Sequence, residues 1–380
     1  MSHVSNHGYF CVTRCADNCI LFPFTPELPE QDQHDREMII IMKLSLLLSL
    51  CLVSMALSAP SPGKVAVIGA TGRLGREAVQ QLHDRGIECN ILVRKSLPSS
   101  EEPSTVTKPD STTSLTKSQV VAHLSSLKGV HIVEGDVTDV ESLHTLLDGC
   151  TACLALFGST RRSRLGDLWN PSIGDTDPTH AKAVNYRGVA NLIQAAKVSK
   201  TCKRIVRITG KGETPTSFFS ILINLLGSMA KAWNYEGERL LRDQQDVEYT
   251  IIRPGIMSEK GPESSYSLTL ADDGGDLPVS KISYADIATL SIECLAYPNA
   301  ARSTLVAMTK ATTEGASTTT PTTAAAAAES YAPLLQMVQP DRRNFPTNML
   351  EQHYAAVRNT VCGLGVAMLV LLSAVVRMIL

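Results

Sequence analysis

Between Lys64 and Lys310, short runs of apolar and often β-branched residues alternate with longer segments in which apolar residues recur every three or four positions. The first pattern is typical of buried strands, and the second of helices packed on one face. Strands and helices alternating at this spacing predict an α/β fold, with a mostly parallel, doubly wound sheet covered by helices on both faces. The predicted strands are Val65–Ile68, Cys89–Val93, His131–Val133, Ala152–Phe157, Arg204–Ile208, Tyr249–Ile252 and Thr304–Met308. The predicted helices lie near Gly72–Asp84, Ser118–Leu127, Glu141–Leu147, Ala181–Val198, Ser228–Leu241 and Tyr284–Leu295.

The N-terminal apolar run has two interpretations. Residues 42–60 begin with Met42 and a lysine, continue as an apolar stretch and end in small residues, which is typical of a cleavable signal peptide. Translation from Met42 would leave residues 1–41 as an unstructured or untranslated extension. The alternative keeps Met1 as the start and makes residues 38–59 a membrane anchor.

The C-terminal region predicts a linker followed by a membrane span. The folded domain is expected over residues 63–310, with a polar surface insertion at 97–117. Residues 311–359 begin with a run rich in threonine and alanine and are predicted to be a low-complexity linker. Residues 361–380 are almost wholly apolar and long enough to cross a bilayer as a transmembrane helix. A buried core helix is the alternative, but it would need a further domain to cover it.

Membrane topology stays open between two arrangements. A signal peptide together with a C-terminal span would put the domain in a lumen, which places Arg342, Arg343 and Arg358 against the positive-inside tendency. A tail anchor with a cytosolic domain fits these arginines but leaves residues 38–59 unexplained. The expected location is an endomembrane such as the endoplasmic reticulum, or an organelle reached through it such as a secondary plastid. The cytosol-facing tail anchor is the alternative.

Composition excludes some functions. The chain has 380 residues, a net charge of −2 and 19% charged residues, so no nucleic-acid partner is expected. Histidines and cysteines recur every four residues between His3 and Cys19, but this segment lacks an apolar face that would hold it as a helix. No metal site is therefore predicted.

The most informative motif follows the first predicted strand. Gly69, Gly72 and Gly75 lie between the strand Val65–Ile68 and a helical pattern, where a glycine fingerprint binds a dinucleotide. The first glycine permits a tight turn, the second lets the backbone approach the pyrophosphate, and the third lets the helix pack closely. The amide-rich N-terminus of that helix would then face the phosphates.

Basic residues indicate which dinucleotide is bound. The second strand ends in Arg94 and Lys95, where NAD-preferring sites place an acidic residue for the ribose 2′-hydroxyl. Arginine can instead pair with a 2′-phosphate, and Arg73 in the glycine loop would add a second positive charge. NADP(H) is therefore expected over NAD(H), although Arg94 and Lys95 would also be ordinary at an exposed strand end.

The chain resembles the atypical short-chain dehydrogenase/reductase superfamily, in its NAD(P)H-binding, NmrA-like group. The resemblance covers about 220 residues and implies a Rossmann-type fold with a small C-terminal substrate lobe. The matching stretches are GATGRLG at 69–75, LVR at 92–94, GDVTD at 135–139, VNYRGVANLIQAA at 184–196, RIVRITG at 204–210, YTIIRPG at 249–255 and ISYADIA at 282–288.

This resemblance also implies site residues. Arg94 would lie at the adenosine end, and Pro254 with Gly255 would begin the loop beside the substrate pocket. Asp136 and Val137 would bind adenine, while Asp136 can equally belong to the turn that caps the next helix. The residues implied at the pyrophosphate are Gly69, Thr71, Gly72, Leu74 and Gly75, and those implied at the nicotinamide are Phe157 and Thr209.

The catalytic pair departs from the family pattern. Active members carry Tyr-x-x-x-Lys, in which the tyrosine transfers a proton and the lysine lowers its pKa. Aligning Glu238 with the acidic residue that follows this pair leaves Tyr235 and Lys231 one residue out of register. The candidate proton donors are therefore Tyr235, Lys231 and Thr209.

Two hypotheses from different classes follow. The first is an NADPH-dependent oxidoreductase acting on an unidentified small carbonyl or enone. The second is a non-catalytic dinucleotide sensor or assembly factor, tethered to a membrane by the C-terminal helix. The fold alone cannot choose between them, because function depends on the site.

Overall fold

The computed structural model describes residues 63–95, 116–262, 266–271, 278–311 and 324–379. Three predicted segments lie outside the described residues: the extension 1–41, the signal peptide or anchor 42–60, and residues 97–115 of the surface insertion.

Eight of the strands within the described residues form one sheet. Its order is β3-β2-β1-β4-β5-β6-β10-β8, and every neighbouring pair is parallel except β10 with β8. The order reverses direction at β1 and β4, and this is the switch point where ligands bind in open α/β sheets. The strands are β1 (Val65–Ile68), β2 (Cys89–Val93), β3 (Val130–Glu134), β4 (Ala152–Ala155), β5 (Arg204–Ile208), β6 (Glu248–Pro254), β7 (Ile256–Ser258), β8 (Tyr266–Ala271), β9 (Lys281–Ser283) and β10 (Ser303–Ala311).

Helices connect the strands and cover both faces of the sheet. The α-helices are α1 (Arg73–Asp84), α2 (Lys117–Ser126), α3 (Val140–Leu147), α4 (Ile173–Thr176), α5 (Gly188–Ser199), α6 (Phe218–Leu226), α7 (Ala230–Asp243), α8 (Tyr284–Ala296), α9 (Ala324–Met337) and α10 (Met349–Ile379). Shorter elements are 3-10 turns at Leu165–Leu168 and Pro298–Ala300 and a π-helix at Lys182–Arg187.

Two apolar layers hold the sheet. Buried residues of α1, α2, α8 and α9 pack on one face, and buried residues of α3, α5 and α7 pack on the other. The strands between these layers are apolar on both sides, which explains why β1, β2 and β4 read as continuous apolar runs. The predicted fold class, a doubly wound parallel sheet with helices on both faces, is confirmed.

Some elements differ from the sequence prediction. The antiparallel edge strand β8 and the small parallel pair β7 and β9 were not predicted. Strands β7 and β9 have three residues each, which is too short for a periodic pattern, whereas β8, YSLTLA, does alternate and was overlooked. Helix α6 was missed because its sequence, FFSILINLL, is apolar at seven of nine positions, and its narrow polar stripe, Ser220 and Asn224, was not recognised as a helix face.

The C-terminal region corrects the predicted linker at 311–359. From Tyr331 onwards this segment packs on the domain: Leu335 of α9 and Val357 of α10 are both fully buried. Between the two helices, Asp341 accepts hydrogen bonds from the backbone N–H and the hydroxyl of Thr304, at 2.8 and 2.7 Å. Low-complexity composition predicted a solvated linker, but apolar residues spaced along residues 331–357 give this part a face to bury.

Helix α10 has two unlike parts. It begins at Met349, twelve residues before the predicted span, and Tyr354 and Val357 of its first part are buried against the domain. From Cys362 to Met378 every side chain is exposed. Among the described residues α10 is the one helix long and apolar enough to cross a membrane, with a mean hydropathy of 2.2 over its most apolar part. On length and composition, this helix could serve as an anchor.

Candidate functional site

The connection from β1 into α1, here called the glycine loop, contains two glycines that admit no side chain: Gly69 in the turn and Gly75 in the first turn of α1. Gly69 has a φ of +88°, and a Cβ there would lie 2.5 Å from the carbonyl oxygen of Leu156. A Cβ on Gly75 would lie 2.1 Å from the carbonyl oxygen of Gly69. The loop therefore folds tightly against the end of β4, and the first turn of α1 lies directly on the loop.

The N-terminus of α1 is open to an anion. Gly72 occupies the N-cap position, which therefore makes no side-chain hydrogen bond to the first turn, and that turn contains no acidic residue. Leu74 is buried and anchors the turn on the core, while Thr71 is half-buried beside it. Uncapped amides at a helix N-terminus bind phosphate groups, so these residues fit a pyrophosphate.

Positive charges gather beyond the end of β2. Arg94 and Lys95 are exposed, and the ammonium of Lys117 donates to the carbonyl oxygen of Arg94 at 3.0 Å. Partial burial, and then the charge of Arg94, lower the pKa of Lys117. Arg73 lies over the ring of Tyr284, 5.2 Å from its centroid. Lys117 was not among the predicted site residues, although the capping box formed by Thr116 and Gln119 at the start of α2 is a sequence signal that places Lys117 at a helix N-terminus.

Asp136 fixes the turn that follows β3. Its Oδ1 accepts hydrogen bonds from the backbone N–H and the hydroxyl of Thr138, at 2.9 and 2.8 Å. Asp139 then caps α3 by accepting from the N–H of Glu141. Val137 is buried in the core. The capping role therefore has direct hydrogen bonds to support it, and adenine binding by Asp136 and Val137 stays a prediction.

An arginine buried in the middle of the sheet orders the end of β4. Arg207 of β5 is 1% exposed, and its Nη1 donates to the carbonyl oxygens of Ala155 and Phe157, at 3.0 and 2.5 Å. Its guanidinium also lies over the Phe157 ring, 4.1 Å from the centroid, and burial lowers its pKa to about 10. Nη2 donates to Asn234 Oδ1 at 3.1 Å, so Arg207 links the predicted nicotinamide side to α7.

Asn185 connects the same strand end to the start of α7. Its side chain is 1% exposed; Oδ1 accepts from the N–H of Ser159 at 2.9 Å, and Nδ2 donates to the carbonyl oxygen of Ala230 at 3.4 Å. It lies in the π-helix at Lys182–Arg187, and π-turns inside helices are frequent at functional sites. The sequence pattern VNYRGV contains this residue, but its spacing alone gave it no role.

The hydroxyl of Thr209 is bound to a buried carboxylate. It donates to Glu238 Oε1 at 2.6 Å, and Glu238 is fully buried beside Arg253, which is fully buried as well. Burial alone would raise the pKa of Glu238, but the charges of Arg253 and Arg242 outweigh it and hold that pKa below its usual value. Thr209 therefore lies at the predicted strand end, with its hydroxyl hydrogen donated to an ionised carboxylate.

The hydroxyl of Tyr235 is also occupied. Its side chain is buried, and the hydroxyl donates to the carbonyl oxygen of Pro346 at 2.9 Å. Burial is the main reason that its pKa rises to about 12. The ring lies near the guanidinium groups of Arg242 and Arg253. Tyr235 therefore faces the C-terminal segment, which agrees with its position one residue out of register.

Lys231 differs from the two hydroxyls. It lies in the first turn of α7 and is half-buried, and its pKa falls to about 8, first because of burial and then because of Lys211 and Arg253. The backbone N–H of Lys231 donates to Asn224 Oδ1 at 2.9 Å, which fixes this turn against α6. An amine with this pKa carries a proton at neutral pH and can release it.

The C-terminal segment holds the loop that follows β5. Arg343 donates to both carboxylate oxygens of Glu213 at 2.7 Å, and Glu213 Oε1 also accepts from Arg253 at 2.6 Å. His353 Nε2 lies 2.7 Å from the carbonyl oxygen of Gly212. The contacts made by Arg343 and His353 join residues more than 100 positions apart, so no local sequence pattern could have revealed them.

The predicted residues therefore divide into two groups at the carboxyl ends of the strands. The glycine loop, Phe157 and Thr209 follow the carboxyl ends of β1, β4 and β5, which are neighbours in the sheet, and Pro254 ends the next strand, β6. The structure does not bring the Tyr235 hydroxyl to Thr209, because each is bound elsewhere. Within the part of the chain that the structure describes, no group of three His, Cys, Asp or Glu side chains could hold a metal ion.

Comparison with known families gives one match of broad extent. The model of the NAD(P)H-binding family matches residues 69–298, which is more than half of the chain and includes the glycine loop, β5, α7 and β6.

Solved structures with a similar fold include three oxidoreductases. A short-chain dehydrogenase/reductase from Veillonella parvula, in complex with NADP, is 11% identical, with a TM-score of 0.47 over 65% of this chain and 94% of its own. An oxidoreductase from Lactococcus lactis is 16% identical, with a TM-score of 0.46 over 73% and 100%. An anaerobillin reductase from Escherichia coli O157:H7 is 14% identical, with a TM-score of 0.45 over 64% and 96%. At these values none of the three identifies a substrate or a catalytic residue of this chain.

Proposed function

Because the chain belongs to the NAD(P)H-binding family, we propose that it is an oxidoreductase that uses NADPH to reduce a small carbonyl or enone substrate. The observation that carries the proposal is the glycine loop, where Gly69 and Gly75 admit no side chain and the first amides of α1 are uncapped. The glycines permit the tight turn and the close helix packing, and together these leave the first amides of α1 free to bind a pyrophosphate.

The chain's own residues would hold the cofactor in two places. The backbone from Gly69 to Gly75 would bind the pyrophosphate, and Arg94 with Lys117 would meet a 2′-phosphate at the adenosine end. The bound nicotinamide supplies the hydride. Phe157, fixed by Arg207, would border the ring on the β4 side.

Lys231 is the residue we propose as the proton donor. Carbonyl or enone reduction needs one proton in addition to the hydride, and the hydroxyls of Tyr235 and Thr209 already donate to Pro346 and Glu238. The Lys231 amine has a pKa of about 8 and lies on the first turn of α7, beside the loop that follows β5. A general acid works best when its pKa is near the working pH.

A dinucleotide sensor without turnover is the second candidate. It is favoured by the hydrogen bonds from Thr209 to Glu238 and from Tyr235 to Pro346. A site whose two hydroxyls donate to internal acceptors resembles a structural core more than a reaction centre. In that case the bound dinucleotide would stabilise the loop after β5, and the C-terminal contacts to Glu213 and Gly212 would change with occupancy.

A turnover assay separates these candidates. The full chain, purified in detergent, would be mixed with NADPH and a panel of aldehydes, ketones and enones, and cofactor oxidation would be followed by absorbance. The proposed reductase oxidises NADPH with at least one substrate class. Saturable NADPH binding without oxidation across the whole panel would favour the sensor and contradict the reductase.

We further propose that α10 tethers the domain to a membrane. Its exposed part, Cys362–Met378, which we call the bare part, would cross the bilayer, and Arg377 near its end can extend to the far interface. Protease protection of a C-terminal tag in intact microsomes would test this. A protected tag supports a cytosolic domain, a digested tag supports a lumenal one, and extraction of the chain by alkaline carbonate would contradict the tether.

A further inference from the structure

Helix α6 has an inverted distribution of polar and apolar side chains. Its buried residues are polar, Ser220 and Asn224, whereas a helix on the surface of a domain normally buries its apolar side chains. No charged residue occurs between Glu213 and Lys231, a stretch that includes all of α6. Its exposed residues are apolar: Phe218, Phe219, Leu222, Ile223 and Leu226.

The polar inner face of α6 is fixed by hydrogen bonds. Asn224 Oδ1 accepts from the backbone N–H groups of Lys231 and Ala232, at 2.9 and 3.2 Å, and Asn224 Nδ2 lies 2.9 Å from His353 Nδ1 of α10. The orientation of α6 is therefore set from inside the domain. Its five exposed apolar residues lie on the opposite face, because the inner face is occupied by these hydrogen-bonded polar side chains.

The same apolar surface continues onto the neighbouring 3-10 turn, Leu165–Leu168. The chain just before this turn is bound to the end of α6, since Ser163 N–H donates to the carbonyl oxygen of Leu226 at 3.0 Å. Leu165 is 81% exposed and Trp169 is 50% exposed. We call Leu165, Trp169 and the five exposed residues of α6 the apolar patch. It exceeds the scattered exposed side chains that are ordinary on a soluble surface.

The apolar patch lies where α10 leaves the domain. Helix α10 packs against both α6 and the 3-10 turn, and Val361 with Leu225 borders the same buried cluster. At Cys362 the side chains of α10 become exposed, and they stay so to Met378. The patch and the bare part of α10 are thus neighbouring apolar surfaces.

Helix geometry determines what can cover the patch. Cys362–Ile379 comprises 18 residues. At 1.5 Å per residue this is about 27 Å, close to the hydrocarbon thickness of a bilayer. Because α10 is one continuous helix from Met349 to Ile379, no flexible segment separates the packed part from the bare part. A bilayer that holds the bare part therefore comes directly up to the domain at the apolar patch.

We infer that the apolar patch is a membrane-docking surface, which lies in the interface of the bilayer crossed by α10 and fixes the orientation of the domain on it. Exposed Arg162 and Arg164 beside the patch fit anionic headgroups, and Trp169 is suited to the interface. The inference rests on the proposed tether and goes beyond the proposed reaction. In this orientation α6, and the loop from β5 that leads into it, face the lipid.

The two tryptophans of the chain allow a direct test. Trp169 belongs to the patch, whereas Trp233 is 4% exposed inside the domain. The full chain would be reconstituted into vesicles of phosphatidylcholine and phosphatidylglycerol, with bromine on shallow acyl positions of part of the lipid. We expect most Trp169 emission to be lost and Trp233 emission to remain. The Trp169→Phe variant should therefore show almost no quenching.

A charge variant tests the patch itself. Phe218→Glu combined with Leu222→Glu should restore Trp169 emission in brominated vesicles, while Val198→Glu, on an exposed aliphatic residue of α5, should not. Carbonate extraction and NADPH titration of the same vesicles report separately on the tether and on the cofactor site. The inference is overturned if Trp169 emission is not quenched in the wild-type chain, or if it is quenched equally in the double variant. It is also overturned if the extent of Trp169 quenching depends on the protein-to-lipid ratio, because a second copy of the chain would then cover the patch.

Discussion

The candidate site is built from different groups in the two halves of the sheet. At the ends of β1 and β2, the candidate site consists mainly of backbone: two glycines without room for a Cβ, uncapped amides, and exposed basic side chains around them. At the ends of β5 and β6, it consists of buried side chains in a charge network that includes Glu238 and Arg253. The first half is open to a ligand, and the second is closed by the chain itself.

This difference shows how the two halves depend on the rest of the molecule. The glycine loop needs only β1, α1 and the end of β4, which lie close in the fold. The second half needs Arg343, Pro346 and His353 from the C-terminal segment, which fix Glu213, Tyr235 and Gly212 respectively. Changes in the buried charge network of the second half are therefore expected to act on stability first, and changes in the first half on cofactor affinity.

The largest effect is expected from Glu238→Ala. This change leaves Arg253, which is 0% exposed, without its main partner. Removal of one member of a buried ion pair costs about 3–5 kcal/mol in the free energy of unfolding. Urea denaturation followed by the emission of buried Trp233 would measure it. The matched control is Lys197→Ala, which breaks an exposed pair with Asp246 and should cost less than about 1 kcal/mol. Equal stabilities of the two variants would contradict the described network.

Lys231→Gln is expected to have the next largest effect, on turnover. Loss of a general acid typically lowers the rate by about 10²-fold or more. In the wild-type chain the Lys231 ammonium exists below its pKa of about 8 and is lost as the pH rises through that value. For reduction, kcat/KM should therefore fall above about pH 8. If Lys231→Gln has the wild-type turnover rate and the same fall in kcat/KM at alkaline pH, Lys231 is not the proton donor.

Gly75→Ala should weaken cofactor binding. Its Cβ would lie 2.1 Å from the carbonyl oxygen of Gly69, so the loop must shift. Overpacking of this kind costs about 1–3 kcal/mol, and each 1.4 kcal/mol lost from binding raises Kd tenfold. NADPH titration by fluorescence would detect the change. Gly363→Ala, also inside a helix but with no neighbour within 4 Å, should bind like the wild type. Unchanged affinity for Gly75→Ala would contradict the glycine-loop site.

The smallest effect is expected from Tyr235→Phe. It removes the hydrogen bond to Pro346, which is worth about 1 kcal/mol of stability, and it should leave kcat unchanged. Thermal unfolding and the turnover assay would measure the two quantities separately. A large loss of kcat with little change in stability would restore Tyr235 as the proton donor.

The two halves of the sheet also differ in how much of their local structure could be predicted from the sequence. The bounds of β1, β2 and β5 follow from apolar runs, and the glycine spacing identifies the loop because its requirements are local. The environments of Thr209 and Tyr235 depend on contacts with residues 29 and 111 positions away. The composition of residues 311–359 also concealed that their second half packs on the domain.

Helix α6 illustrates a second limit. Sequence periodicity identifies a helix when one face is apolar and the other polar, with the apolar face assumed to be buried. In α6 the two buried residues are Ser220 and Asn224, and the apolar residues are exposed. Only the structure, which places α6 beside α10, gives this pattern a physical reason.

The most direct test of an NADPH site at the glycine loop is a pair of fluorescence titrations of the full chain, one with NADPH and one with NADH. We expect saturable NADPH binding that is tighter than NADH binding, and we expect Arg94→Ala to weaken NADPH binding about tenfold, as the loss of one charged contact to a phosphate would, while NADH binding stays the same. If neither NADPH nor NADH binds saturably, the dinucleotide site at the glycine loop is contradicted. NADH binding at least tenfold tighter than NADPH binding would contradict the role given to Arg94.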